Sequence, residues 1–232
     1  MPVSRHKIPE LSIVVPILNE LGQLPGFFAG LARQEGVDFE LLICDGGSRD
    51  GSLEWLRQQQ LHWTALRIYS EMPGRGRQMN QGAANARADW LLFLHVDSRF
   101  SDPQALRRSL DFLSRTESRR VAGHFALKFR RNEAAPSAGY YFYEWKARLG
   151  RPETIHGDQG FLLSRDLLRQ LGPFREDLPA MEDTDFAERL RDHGQWRLLP
   201  AEIRTSARRP ETHHQRSQQL PLPESFRFKA TG

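Results

Sequence analysis

An apolar run, Leu91-Leu92-Phe93-Leu94, gives way to His95-Val96-Asp97. The same happens upstream, where Phe39-Glu40-Leu41-Leu42-Ile43-Cys44 ends on Asp45 and a turn, Gly46-Gly47-Ser48-Arg49-Asp50-Gly51, follows. A buried strand that delivers an acid at its C-terminal end restricts the fold, because open α/β sheets bind ligands just beyond the carboxyl ends of their strands. Two such strands imply one shared pocket for a cation, a sugar hydroxyl or both.

The intervening segments agree. Residues 11–18 are strand-like, and 21–34 place Leu, Phe and Ala on one helical face. Strands are expected over 39–45, 63–69 and 89–97, and helices over 52–60, 75–87 and 103–115, the last opening on a proline suited to a first turn. This βαβαβαβ order predicts a mostly parallel central sheet with helices on both faces, a Rossmann-like α/β sandwich. From residue 121 the pattern changes to a strand (121–129), an aromatic-rich helix (138–149), a short strand (160–164) and a short helix (165–171). A charged helix (182–193) and a strand (196–205) complete it. Residues 210–232 carry no period and read as an irregular tail, leaving one domain over 8–209.

Composition narrows the class. No apolar run approaches the ~18 residues that cross a bilayer. The start, Met1-Pro2-Val3-Ser4-Arg5-His6-Lys7, lacks the apolar stretch of a signal peptide. The reading is a cytoplasmic protein with no transmembrane segment. The single cysteine, Cys44, excludes an internal disulfide and a multi-cysteine zinc site, and its strand position suits a small core side chain. A net charge of +4 leaves contact with an anionic membrane face or a phosphorylated ligand open. No nucleic-acid-binding motif is present. Oligomeric state is not legible.

Four segments carry chemistry. Ile13-Val14-Val15-Pro16-Ile17-Leu18-Asn19-Glu20 ends a strand on polar groups. In the second, 45–51, glycines such as Gly47 let the backbone approach a ligand, while Asp50 and Ser52 serve either a ligand or the cap of the next helix. The third, Gly74-Arg75-Gly76-Arg77-Gln78-Met79-Asn80-Gln81-Gly82, sets arginines at a helix start, a place for phosphate. The fourth, Met181-Glu182-Asp183-Thr184-Asp185, masses acids at a helix N-terminus, which the helix dipole partly explains.

Taken in order, these segments resemble the family-2 glycosyltransferases of the GT-A fold, over about residues 11–209. The wording of Arg77-Gln78-Met79-Asn80, Phe93-Leu94-His95-Val96-Asp97 and Thr205-Ser206-Ala207-Arg208-Arg209 is similar to a subfamily of short bacterial members. Those are often labelled by neighbouring radical-SAM or arsenosugar genes, which is context and not chemistry. The resemblance implies a nucleotide-sugar donor, an acceptor of unknown identity, and inversion by one in-line displacement. It implies that Pro16, Asn19, Glu20, Asp45, Gly47, Arg75, Arg77, Asn80, His95 and Asp97 line the donor side. Asp97 matches the last acid of the Asp-x-Asp motif that holds Mg²⁺ or Mn²⁺, with His95 standing where the first acid is expected, either beside the metal or as a supporting histidine. Asp183 matches the general base, with Glu182 beside it. Asp158 and Gln159, in His156-Gly157-Asp158-Gln159-Gly160, match the acceptor side, although a plain turn is as good a reading. Tyr140, Tyr141, Tyr143 and Trp145 form either a platform for a sugar or apolar acceptor or ordinary packing.

Two rival readings stand beside this one. A sugar nucleotidyltransferase would want a glycine- and lysine-rich loop after the first strand, where Asn19-Glu20-Leu21-Gly22 stands. A degenerate, non-catalytic nucleotide-binding domain accords with the tail, which departs from the family pattern, but not with the retained acids. A histidine of that tail, His213 or His214, is a candidate to close over the donor.

Overall fold

In the computed structural model, residues 7–130, 138–149 and 154–206 are described. Among the described residues, eight strands form one sheet: β1 (Leu11–Ile17), β2 (Phe39–Asp45), β3 (Leu66–Ser70), β4 (Trp90–Phe93), β5 (Arg99–Phe100), β6 (Val121–Phe129), β7 (Phe161–Ser164) and β8 (Gln195–Thr205). Among the described residues, seven α-helices accompany them: α1 (Leu24–Leu31), α2 (Ser52–Gln60), α3 (Arg75–Asn85), α4 (Ala105–Ser114), α5 (Ala138–Lys146), α6 (Arg165–Leu171) and α7 (Glu182–His193). The strand order is β3-β2-β1-β4-β7-β6-β8-β5. The first four strands run parallel; β7 is antiparallel to both neighbours, β8 parallel to β6, and β5 antiparallel to β8.

β1, β2 and β4 read as nearly unbroken apolar runs because both of their faces are covered. Alternation still sorts their side chains. Ile13, Val15, Ile17, Leu41 and Ile43 join α1, α2 and α4 on one side of the sheet. Val14, Leu42, Cys44, Leu91 and Phe93 join α3, α6 and α7 on the other. Helix α3 lies so close to the sheet that a Cβ on Gly82 would sit 2.3 Å from Val14 Cγ1 and 3.1 Å from Cys44 Sγ. Burial raises the Cys44 thiol to about 12, so it is a core side chain.

The strand expected over 89–97 stops at Phe93. Leu94 still donates its N–H to the Val14 carbonyl (3.0 Å), and Ser98 N–H closes a turn onto the His95 carbonyl (3.1 Å). Asp97 therefore stands in a turn beyond the strand. Val96 gave the segment a strand-like pattern because it is buried from within that turn. The helix expected over 21–34 is confined to Leu24–Leu31, and β5, two residues long, had no signal. The tail, with His213 and His214, lies outside the described residues.

β1 and β4 diverge where Pro16 sits. The Val14 carbonyl faces β4, so position 16 presents its backbone to the same edge, two residues after pairing has all but ended. A residue without an N–H is tolerated there because no partner remains to receive one. The gap that opens at the carboxyl ends of β1 and β4 is where the strand order reverses direction about β1.

Candidate active site

The loops after β1 and β2 are clipped into one wall of this gap. Asn19, held at φ +56°, donates its N–H to Ser48 Oγ (2.8 Å) and accepts the Arg49 N–H on Oδ1 (2.8 Å). Glu20 N–H reaches Ser52 Oγ (3.2 Å), and Leu21 N–H reaches Asp50 Oδ2 (2.9 Å). Asp50 and Ser52 thus join loop to loop, and Ser52 also donates to Asp50 Oδ1 (2.6 Å). Asp45 is fully buried, and its carboxylate accepts the N–H groups of Gly47 (3.0 Å) and Ser48. It shapes the turn from beneath, whereas Gly47, at φ +92°, has nothing within 4 Å of where a Cβ would point. From α3, Gln78 ties the two strand ends together by donating to the carbonyls of Ile17 (2.8 Å) and Cys44 (2.6 Å). Gln78 lies inside the 74–82 segment, but its role as a tie depends on how the helix packs on the strands and was not legible there.

The opposite wall comes from the turn after β4, the 157–159 segment and α7. His95 Nδ1 lies 2.9 Å from Asp158 Oδ1. Loss of hydration works against charge on both, although the Asp158 side chain is still 56% exposed, and the contact prevails: it raises the His95 imidazole above its ordinary value and holds the Asp158 carboxyl down at about 2. Gly157 stands between His95 and Asp183. A Cβ there would be 2.7 Å from Asp183 Oδ2 and 3.2 Å from His95 Nε2, so the two functional groups lie no more than about 6 Å apart. Asp183 is fixed by the N–H of Gly157 on Oδ2 (2.7 Å) and of Thr184 on Oδ1 (2.8 Å). Met79, Phe93, Leu94 and Phe161 complete a hollow with these groups. Low-dielectric walls strengthen whatever charges face one another there.

The acids at the start of α7 separate into three environments. Glu182 is buried, with Oε1 3.3 Å from Arg75 Nη1 and no aligned hydrogen bond among the described residues. Asp183 faces the hollow. Asp185 pairs with Arg189 (2.9 Å) within its own helix. Glu182, expected beside the base, is instead the inner partner of the exposed Arg75.

Three more of the expected site residues have partners within the fold. Asn80 is consumed by a clamp: Oδ1 accepts Phe174 N–H and Nδ2 donates to the Phe174 carbonyl, each at 2.9 Å. Arg77 pairs with Glu176 beside that clamp (3.5 Å). Gln159 is buried, donating to the carbonyl of Ala147 (3.0 Å) and to His124 Nδ1 (3.2 Å) and accepting His156 N–H (2.9 Å). Its amide faces inward because the chain needs a partner for Ala147 there, so of the acceptor-side pair only Asp158 borders the cleft.

The cation side is open rather than preformed. Among the described residues, no three His, Cys, Asp or Glu side chains converge as a metal cluster. Asp97 Oδ2 accepts Thr205 Oγ1–H (2.6 Å) and Ser206 N–H (3.0 Å), leaving Oδ1 without a hydrogen bond among the described residues. Burial and the negative charge of Asp97 raise the Glu20 carboxyl; His95 acts in the other direction, and Asp50 adds to the rise. Two carboxylates that crowd one another, one with a bare oxygen, suit a hard divalent cation completed by phosphate oxygens and water. His95, expected either beside the metal or as a supporting histidine, is turned to Asp158 through Nδ1 and keeps Nε2 toward the cleft.

Comparison with known proteins follows from this geometry. The family model described as "Glycosyl transferase family 2" matches residues 12–172. A relative named PGL/p-HBAD biosynthesis glycosyltransferase, from Mycobacterium bovis (strain BCG / Pasteur 1173P2), is 29% identical over 184 residues, covering 77% of this chain and 68% of its own. Among solved structures, the mannosyltransferase PcManGT from Pyrobaculum calidifontis in complex with GDP-Man and Mn²⁺ superposes with a TM-score of 0.68 at 18% identity, over 92% of this chain and 61% of that one. S. aureus TarS 1-349 in complex with UDP-GlcNAc also gives 0.68 at 18% identity, over 87% and 60%. The chain spans about three-fifths of those two structures. They establish a shared fold.

Proposed function

The chain belongs to glycosyl transferase family 2 and is a glycosyltransferase, and we propose that it moves a sugar from a nucleotide-diphosphate donor to an acceptor hydroxyl with inversion. The observation that carries this reading is the juxtaposition of Asp183 and His95, within about 6 Å on either side of Gly157.

In this reading the nucleotide lies along the wall built by the first two loops, where Gly47 and the backbone near Asn19 are accessible and Asp45 keeps the turn in shape. The diphosphate lies toward the first turn of α3, whose free N–H groups and the exposed guanidinium of Arg75 suit an anion. Glu182 beneath Arg75 holds that guanidinium at the cleft. Asp183 accepts the proton of the acceptor hydroxyl as its oxygen attacks the anomeric carbon. The bond to the nucleotide diphosphate breaks on the opposite face, the leaving group departs with the bonding electrons, and the configuration inverts. The Gly157 N–H keeps Asp183 on line, and Asp158 holds His95 with Nε2 toward the reacting groups. Mg²⁺ or Mn²⁺, held by Asp97 with Glu20 alongside, would supply positive charge against the departing diphosphate. The bound GDP-Man, Mn²⁺ and UDP-GlcNAc of the structural neighbours support this donor class and this kind of ion by analogy.

Thermal unfolding in the presence of UDP- and GDP-sugars, with and without Mn²⁺, tests the reading. A donor at about 100 times its Kd stabilises the native state by ~2.7 kcal/mol, which is readily seen. A metal-dependent rise in Tm with at least one nucleotide sugar is expected. No rise with any of them would overturn the donor assignment.

A further inference from the structure

Helix α5 turns Tyr141, Phe142, Tyr143 and Trp145 away from the core. Phe142, Tyr143 and Trp145 are 56%, 51% and 57% exposed, and Leu149 just beyond the helix is exposed as well. The buried face consists of Glu144, whose Oε1 accepts the Phe129 N–H (3.0 Å), and Ala147. The rings cluster with one another: Phe142 lies 6.2 Å from Tyr143 and 6.0 Å from Trp145, centroid to centroid. An aromatic side chain has roughly 150–250 Å² to bury, so three half-exposed rings and a leucine leave on the order of 300–400 Å² of apolar surface together. The largest apolar patch on a typical soluble monomer is of that size and is often functional.

The chemistry of the patch selects its occupant. Basic residues interleave with the rings as Lys146 and Arg148. Among the described residues around the helix, Lys128, Arg130, Lys146 and Arg148 are basic, against the acids Glu144 and Glu202, the latter paired with Lys128 (3.0 Å) and Arg148 (3.5 Å). One of those acids, Glu144, is buried. Tyr and Trp rings with basic neighbours on a short helix compose a segment that lies in the headgroup region of an anionic bilayer. Among the described residues no helix is long and apolar enough to cross a membrane, so contact through these residues would be at the surface. The patch is also coupled to the cleft. Gln159 Nε2 donates to the carbonyl of Ala147, the residue just past this helix, at 3.0 Å, and Gln159 adjoins Asp158, the partner of His95.

We propose that α5 seats its aromatic face in the headgroup region of an anionic lipid surface and so presents the cleft to acceptor hydroxyls carried by membrane lipids. The acceptor part rests on the transferase reading; the lipid contact does not.

The test is flotation of the full chain with vesicles of phosphatidylcholine containing phosphatidylglycerol, compared with phosphatidylcholine alone. Wild-type protein is expected to float with the anionic vesicles. The Phe142→Ser/Trp145→Ser double variant should bind them at least about tenfold more weakly while keeping its UDP- or GDP-sugar affinity. In the Trp145→Phe variant, which preserves the apolar surface, vesicle binding should persist while brominated lipid quenches less tryptophan fluorescence than in wild type. Absence of vesicle binding by wild type, or equal binding by the double variant, would overturn the proposal. So would a wild-type dimer that the double variant dissolves, since a second copy would then cover the face. Loss of donor binding in wild type would count against the transferase reading alone.

Discussion

Replacing Gly157 by alanine should disable chemistry without disabling donor binding. The added Cβ would lie 2.7 Å from Asp183 Oδ2, inside any real contact distance, and 3.2 Å from His95 Nε2. The carboxylate must retreat by about 0.7 Å to reach ordinary van der Waals separation. In doing so it stretches the 2.7 Å hydrogen bond from the Gly157 N–H that orients it. A hydrogen bond to a charged group contributes ~1.5–3 kcal/mol, so Tm should fall by roughly 3–10 °C for a domain of this size. Displacement of a catalytic group on the order of 1 Å costs ~10²-fold in rate. Steady-state transfer assays should therefore show kcat reduced about 10²-fold, while calorimetric titration with the donor and Mn²⁺ shows Kd within roughly threefold of wild type. In an Asp183→Asn background the same substitution should cost much less, because the group it displaces has already lost its function. Wild-type kcat in Gly157→Ala, or full additivity in the double variant, would refute the argument that Gly157 exists to seat Asp183.

Other outcomes follow from the same contacts. Asn80→Ala strands both backbone groups of Phe174 and should lower stability by ~2–3 kcal/mol in urea unfolding, with donor affinity unchanged. His124, fully buried beside Gln159, has its imidazole pulled down by burial to about 4. It is neutral in the fold while the unfolded chain takes up a proton below about pH 6.5, so its contribution is complete above that pH and is lost progressively down to pH 4. Denaturation midpoints should fall across that window, by ~3 kcal/mol in total, and His124→Gln should flatten the slope. Removing the divalent ion with EDTA should weaken donor binding at least about tenfold, and Asp97→Ala should do the same without adding to the EDTA effect. An Asp97→Ala protein that still gains affinity from Mn²⁺ would remove Asp97 from the cation site.

Strands 39–45 and 121–129 and helices 52–60, 165–171 and 182–193 were legible residue for residue, because each has an unbroken apolar run or period with a sharp boundary. The end of β4 was not. Leu94 and Val96 are as buried as strand residues, and hydrophobicity cannot tell burial in a turn from burial in a ladder. The acids at the strand ends and at the start of α7 could be picked out as a group, but their individual partners could not. Asn80 meets Phe174 from 94 positions away, and Gln159 meets His124 from 35. Such pairings depend on how helices settle on the sheet, and no local pattern encodes that. Gly157 stood out only as part of the 156–160 segment and not on its own account, since its importance is the absence of a side chain between two groups that only the fold brings together.

The most direct test of the central claim is single-turnover sugar transfer by Asp183→Asn, with donor binding measured on the same preparation. The amide is nearly isosteric and can still accept the Gly157 N–H, but it cannot take the acceptor's proton. The expected result is donor affinity near wild type with the chemical step slowed at least ~10²-fold. Transfer at the wild-type rate would contradict the assignment of Asp183 as the base, and loss of donor binding would place this carboxylate with the donor instead.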